Sequence, residues 1–466
     1  MMYGIKRILV IVLLCGVVFP ALSQQEGTLY FMNSLPQVTY VNPALQPRYK
    51  FSLGLPGSSV YAQYANNAFN YKDFAKKQGD SVIGDLNKLY GALKKKNYLT
   101  QAVQADLFRI SVKINARMYF TWNITAKSYT RQMLPQELFG ILTNGTSPLV
   151  NKPTTFSPQV EGLAYVESGW GASYVVDRHL TVGLKVKLLK GIANATTAAS
   201  AVNLSIDDNY NIKGVADVNL KTSGIHQFDN DDFDMGDDWE VYKKNTGMAF
   251  DLGATYSLMD DRLILGASVL DIGGITWKND TYGYRLDPAK AHVTFEGVNL
   301  ERVLNGEKDY YQEVSDSIDT NFEFEKGTIG SYRTPLPKRF YLSGSYMLKK
   351  TLNVGLLLYA EQFRGRFAPS MSASIHKEFG RRLSTSLSYT ITNNSFNNIG
   401  AGISLNFAPL QLYVVGDNLL GAPIALASNS ELNSYLNSAQ FVNVRAGLNF
   451  VFGWDKKAEK IPNPKP

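Results

Sequence analysis

The side chains best suited to moving protons near neutral pH are four histidines, His179, His226, His292 and His376. None stands in an HExxH or other metal-ligand spacing. Ser372, Ser374 and His376 alternate along one stretch, so on a strand they share a face. A serine hydroxyl, Ser374 first, beside an imidazole base is the arrangement of a lipid hydrolase. No acid or amide that would orient the imidazole is identifiable, and serine is an ordinary filler of a polar barrel interior, so the filler reading is favoured.

A second group is acidic. DNDDFDMGDDWE, residues 229–240, carries Asp229, Asp231, Asp232, Asp234, Asp237 and Asp238 and would suit Ca²⁺. The run Asp232-Phe233-Asp234-Met235-Gly236 misses the EF-hand register, and a charge run of this kind is usually a solvated loop. A third group is basic: Arg109, Lys113, Arg117, Lys127, Lys185 and Lys187. They fall on neighbouring segments whose polar faces would line one interior wall. Left unpaired they would favour anions in a channel. Paired with interior carboxylates such as Asp251 and Glu361 they would fill the interior, and both readings stay open. No cofactor is expected.

The elements that position these residues begin after a secretory signal. Lys6 and Arg7 precede the apolar run Ile8 to Phe19, and Ala21-Leu22-Ser23 fits a small-x-small cleavage site, giving a signal peptide over 1–23. The run is shorter than the roughly 20 residues of a spanning helix. Cys15, the one cysteine, lies inside it, and Leu14 before it is not the small residue a lipoprotein signal requires. The mature chain then has no thiol, which excludes disulfides, cysteine nucleophiles and zinc–thiolate sites. Without Lys6 and Arg7 it keeps 45 basic against 40 acidic residues, too mild an excess to argue for nucleic acid.

No long apolar run follows residue 23, so helical spans are excluded, while 27 Tyr and 38 Gly suit a β-barrel. Period-two alternation is the decisive pattern. In RRLSTSLSYTITN, Leu383, Thr385, Leu387, Tyr389 and Ile391 oppose Ser384, Ser386, Ser388 and Thr390. ARMYFTWNITAK, LTVGLKVKLL and FVNVRAGLNFVFGW alternate in the same way. Several runs reach the roughly 9–11 residues that a tilted strand needs to cross a bilayer. Five tight turns, at 177–179, 259–261, 349–350, 380–381 and 408–409, separate longer polar stretches such as 223–245, 276–335 and 418–439.

This layout predicts an all-β, antiparallel transmembrane β-barrel over 50–454 of about 14 strands, with both termini periplasmic. A hairpin of 200–206 with 212–221 either raises the count to 16 or stands outside. Short helices are expected in the loops at 80–96 and 134–145, and 299–335 reads as loop. In the last strand, Arg445, Gly447, Phe450 and Phe452 resemble the terminal signal read by outer-membrane assembly machinery, although residues 455–466 follow as a charged, proline-rich, disordered periplasmic tail. Residues 24–49 carry the prolines of FMNSLPQVTYVNPALQP, poor strand and good ordered coil, with a turn at Asn42-Pro43.

Residues 245–277 resemble the central hairpin of a Bacteroidetes outer-membrane family related to FadL-like barrels, and 336–348 the strand that follows it. Asn42-Pro43-Ala44 resembles a turn also found in PorV and the PorP/SprF proteins of type IX secretion. The FadL-like resemblance implies passage of hydrophobic molecules through a lateral opening, with residues 24–49 as an N-terminal hatch. PorV-like relatives imply shuttling of secreted proteins. The expected function is passage of small molecules, hydrophobic ones included, across the outer membrane. The alternatives are a cell-surface scaffold, such as a type IX secretion or gliding accessory, and more remotely a barrel lipid hydrolase. Expected partners are outer-membrane lipid, the assembly machinery and secretion-system components.

Overall fold

A computed structural model describes residues 26–66, 75–78, 81–84, 86–144, 147–209, 211–226, 244–295, 323–392, 395–419 and 441–454. The expected signal peptide over 1–23, the acidic run 229–240 with its candidate calcium ligands, and the expected tail 455–466 lie outside the described residues. The described residues begin with helix α1 (Gly27–Tyr30) and a 3₁₀ turn (Pro36–Tyr40). Pro36 opens that turn, where its missing N–H costs nothing and its fixed φ already suits a helical turn.

The first wall strand is broken into β1 (Tyr49–Gly54) and β2 (Ser59–Asn66) by the bulge Leu55-Pro56-Gly57-Ser58. A hairpin of β3 (Ala75–Gln78) and β4 (Ser81–Gly84) and helix α2 (Leu86–Ala92) precede β5 (Lys96–Lys113). The helix expected over 80–96 is thus confined to 86–92, and its first residues pair as a strand instead. Next come β6 (Met118–Pro135), helix α3 (Gln136–Asn144), β7 (Thr154–Phe156), β8 (Gln159–Val175) and β9 (Leu180–Ile206). They are followed by β10 (Ile212–Ser223), β11 (Thr246–Leu258), β12 (Leu263–Trp277), β13 (Thr281–Leu286) and β14 (His292–Phe295). Then come β15 (Glu325–Thr328), β16 (Tyr332–Pro335), β17 (Lys338–Lys349), β18 (Leu352–Phe363), β19 (Arg366–Phe379), β20 (Leu383–Thr392), β21 (Ser395–Phe407), β22 (Leu410–Asp417) and β23 (Phe441–Trp454). The part of 299–335 that is described therefore holds β15 and β16, where a loop is expected.

The wall is a closed antiparallel ring of 14 strands, counting β1 with β2 and β16 with β17 as one each. β23 closes it by pairing with both β1 and β2, Phe51 opposite Phe452 and Tyr61 opposite Arg445. The 200–206/212–221 hairpin does not enter the ring. The first part of β9 pairs with β11, its distal part pairs with β10, and β10 continues to β13 and β14 as a sheet beyond the wall.

Burial is inverted relative to a soluble protein. On β20, Ser384, Ser386, Ser388 and Thr390 are buried, while Leu387 is 55% and Tyr389 43% exposed. On β9, Lys185 and Lys187 are buried and Leu184 and Leu188 are exposed. An apolar outer face over a polar interior is what a bilayer selects, because lipid takes the place of water outside. Tyr174, Tyr256, Tyr346, Phe379, Phe407 and Phe452 are all exposed outward near one end of the ring, as an aromatic girdle.

That end carries the connections 114–117, 176–179, 259–262, 350–351, 380–382 and 408–409, none longer than four residues. We call it the turn end. Asp177 accepts the backbone N–H groups of His179 and Leu180 at 2.7 and 2.8 Å, which closes its turn and holds its carboxyl below the usual range. The opposite, loop end carries the long connections, but β18 and β19 meet there in the two-residue turn Arg364-Gly365, both at positive φ.

Candidate functional site

The lumen is occupied by the chain's own N-terminal segment, hereafter the plug. Leu29, Met32, Leu35, Val38 and Val41 are fully buried and pack with Leu270, Tyr341, Leu357, Tyr359, Tyr413 and Val415 from the wall. Around this apolar centre the plug is stitched to the polar wall. Glu26 pairs with Arg445, and the Thr28 backbone N–H donates to Asp417 at 3.0 Å. Thr28 and Ser388 hydroxyls meet at 2.6 Å, and Ser34 and Ser384 at 2.8 Å. Gln37 Nε2 donates to Asn449 at 2.7 Å, and Arg48 pairs with Glu378 at 2.7 Å as the chain enters β1.

The Asn42-Pro43-Ala44 turn has a prepared berth. Asn42 Oδ1 accepts the Ala44 N–H at 2.9 Å, and Asn42 Nδ2 donates to the Tyr30 hydroxyl at 3.1 Å. Gly183 and Gly253, cross-strand partners on β9 and β11, lie directly beneath it. A Cβ on Gly183 would sit 2.3 Å from the Pro43 carbonyl carbon, and one on Gly253 would sit 2.2 Å from Asn42 Oδ1. Only bare backbone leaves room for the turn.

The six basic positions fall in three places. Lys127, Lys185 and Lys187 meet Glu167 at 2.6, 3.8 and 3.8 Å, and Lys187 also reaches Asp251 at 2.7 Å and Asp271 at 2.5 Å. Arg339 extends the cluster, 2.6 Å from Asp271. The carboxylates therefore take up the charge of these three lysines, as buried ions require. Glu361 lies elsewhere, accepting the Tyr129 hydroxyl at 3.3 Å. Arg109 instead faces the plug, donating to the Pro36 carbonyl. Arg109, Lys185 and Arg445 stand 5.1, 4.8 and 5.3 Å from the Tyr40 ring, whose hydroxyl donates to Asp106 at 2.8 Å. Lys113 and Arg117 lie at the turn end, Arg117 within the 114–117 connection.

Ser372, Ser374 and His376 share the lumen face of β19, all buried. Neither ring nitrogen of His376 nor the Ser374 hydroxyl makes a hydrogen bond within the described residues, and Glu378 is 3.7 Å from His376. The serine and the imidazole are not engaged as nucleophile and base. In β23, Arg445 points into the lumen and Phe452 is 47% exposed on the outer face. Phe450, two residues before Phe452, shares that outer face, and Gly447 passes close to the Ser58 carbonyl, where a Cβ would sit 2.0 Å away. Among the described residues no group of His, Cys, Asp and Glu is placed to hold a metal ion.

Two cavities flank the plug. One of about 60 Å³ is lined by Tyr61, Gln63, Tyr129, Arg339, Tyr341 and Tyr359 among others. The second, of about 140 Å³, lies between plug and wall, lined by Tyr30, Phe31, Arg48, Ser343, Met347 and Asn353 among others. Sequence reasoning misses Tyr30, Tyr40, Glu167, Asp271, Gly183 and Gly253. For Glu167 a signal exists: with Glu161 it puts two carboxylates on one face of β8, and interior carboxylates demand cations across the lumen.

None of the curated proteins matches the sequence. Among solved structures, a Pseudomonas aeruginosa FadL homologue is 12% identical over 90% of this chain and 94% of its own, with a TM-score of 0.42. The Pseudomonas putida toluene transporter TodX is 10% identical over 89% of this chain and 91% of its own, at a TM-score of 0.39. The family described only as a family of unknown function, DUF5723, matches residues 43–417, most of the chain including the Asn42-Pro43 berth on the wall, and the protein belongs to that family.

Proposed function

We propose that this protein is an outer-membrane barrel that passes small molecules, with both termini on the periplasmic side and the plug controlling the passage. The observation that carries this reading is the plug itself. A wall that needed only to anchor surface loops has no use for a polar interior closed by a separable segment of the same chain. The short turns, the aromatic girdle and the positions of Phe450 and Phe452 support insertion by the assembly machinery with the turn end towards the periplasm. The resemblance of 245–277 and 336–348 to a Bacteroidetes family related to FadL-like barrels agrees with this.

The test is solute uptake by liposomes carrying the full-length protein. Small solutes should enter faster than into empty liposomes, and an equal rate would refute the reading. A second reading, a surface scaffold of the type IX secretion or gliding kind, is favoured by one feature, the sheet of distal β9, β10, β13 and β14 beyond the ring. Co-purifying surface proteins, lost when 200–221 is removed, would favour it. The lipid-hydrolase reading ends if Ser374→Ala leaves any lipid-hydrolysis activity unchanged.

A further inference from the structure

We infer that Tyr30 is a side-chain gate between the two cavities, and that the route it closes takes a neutral, hydroxylated ring of monosaccharide size rather than a long apolar chain. This rests on the passage reading and names its gate and its solute. One stacked pair of rings connects the linings of the two cavities. Tyr341 lines the cavity of about 60 Å³, Tyr30 lines the cavity of about 140 Å³, and the two rings stack at 5.8 Å with 24° between their planes. Tyr359 backs Tyr341 edge-on at 4.9 Å.

Tyr30 is held shut by its hydroxyl, which accepts from Asn42 Nδ2 at 3.1 Å and from Ser343 Oγ at 3.0 Å. Gly266 leaves the room for it, because a Cβ there would lie 2.8 Å from that hydroxyl. Rotating one side chain therefore joins the cavities without moving the plug backbone, which stays fixed by Glu26, Thr28, Ser34 and Gln37.

The lining names the solute. Five tyrosines, Tyr61, Tyr129, Tyr165, Tyr341 and Tyr359, offer ring faces in the first cavity. Its two cations, Lys127 and Arg339, and three carboxylates, Glu26, Asp271 and Glu361, are largely engaged in ion pairs, Lys127 with Glu167, Arg339 with Asp271 and Glu26 with Arg445, which leaves little charge to select an ion. Amides and charged groups interleave with these rings, Gln63 and Gln104 among them. An apolar chain would desolvate those polar groups at a cost, whereas a ring bearing hydroxyls can hydrogen-bond to them while its faces lie on the tyrosines.

The experiment is liposome swelling in arabinose with the full-length protein and five variants, each checked for folding by heat-modifiable migration. Tyr30→Ala is expected to raise the rate roughly tenfold, as loss of a ring stack and a hydrogen bond would. Tyr30→Phe, which keeps the ring and loses both hydrogen bonds, should give a smaller rise. Tyr341→Ala removes the barrier from the wall side and should act like Tyr30→Ala. The gain should survive in Tyr30→Ala carrying an oxidised Thr28→Cys/Ser388→Cys staple, because the plug backbone need not leave. If Gly253→Val, which crowds the plug turn, swells while Tyr30→Ala and Tyr341→Ala match the native rate, passage exists and the gate is refuted. No swelling in any variant refutes the passage reading and the gate with it. Faster entry of decanoate than of arabinose through Tyr30→Ala would overturn the solute class.

Discussion

At the scale of single residues, the plug depends on atoms that are missing as much as on atoms that are present. Gly183 and Gly253 supply bare backbone for Asn42-Pro43, and any side chain at Gly253 meets Asn42 Oδ1. Gly253→Val should therefore cost about 1–3 kcal/mol of plug docking and expose the N-terminal segment to protease. An unchanged cleavage pattern would argue against the berth. Lys187 lies between Glu167, Asp251 and Asp271. Lys187→Met takes from Asp251 its ion-pair partner, while Glu167 keeps Lys127 and Asp271 keeps Arg339, and should destabilise the folded form by about 3–5 kcal/mol, read as a lower temperature for the heat-modifiable shift. Lys187→Met with Asp251→Asn should recover part of the loss. Of this site, the turn is legible from Asn42-Pro43 alone, because an Asn side chain before proline closes its own turn. Its berth is not legible, because Gly183 and Gly253 are distant in sequence and become neighbours only through the pairing of β9 with β11. The basic positions are legible one by one, but whether they are paired depends on which carboxylates the register sets opposite them.

At the scale of elements, the strands are the most legible part, because alternation of apolar and polar residues survives in any environment that has two sides. Alternation does not say which face is buried, and the exposed Leu387 beside the buried Ser386 decides that only in three dimensions. Leu387→Arg should cost about 2–4 kcal/mol where lipid is deepest, against little for Ser386→Ala. Equal stability of the two variants in a folding assay would deny that the outer face meets lipid. The helices are read less well. Ile83, Leu86, Leu89, Tyr90 and Leu93 have helical spacing, yet Ser81–Gly84 pairs with Ala75–Gln78 and the helix spans only Leu86–Ala92. Short apolar runs do not distinguish the two states, and the partner strand is what settles them. The strands β15 and β16 are missed for a related reason: they are four residues each, too short to show a period.

At the scale of the whole molecule, a 14-strand ring encloses a lumen wide enough to admit part of its own chain, and residues 26–48 fill it. The closure is contingent. It rests on the apolar contacts of Leu29, Met32, Leu35, Val38 and Val41, on ion pairs and hydroxyl contacts, and on one glycine berth, none of which belongs to the wall's own strand pairing. On the proposed function, the permeability of the barrel is set by the plug. Single-channel recording in planar bilayers of the full-length protein and of Gly253→Val tests this most directly. The account expects small, infrequent current steps for the native chain and larger, long-lived steps for the variant. Identical traces from the two proteins, or no conductance from either when both are folded, would contradict it.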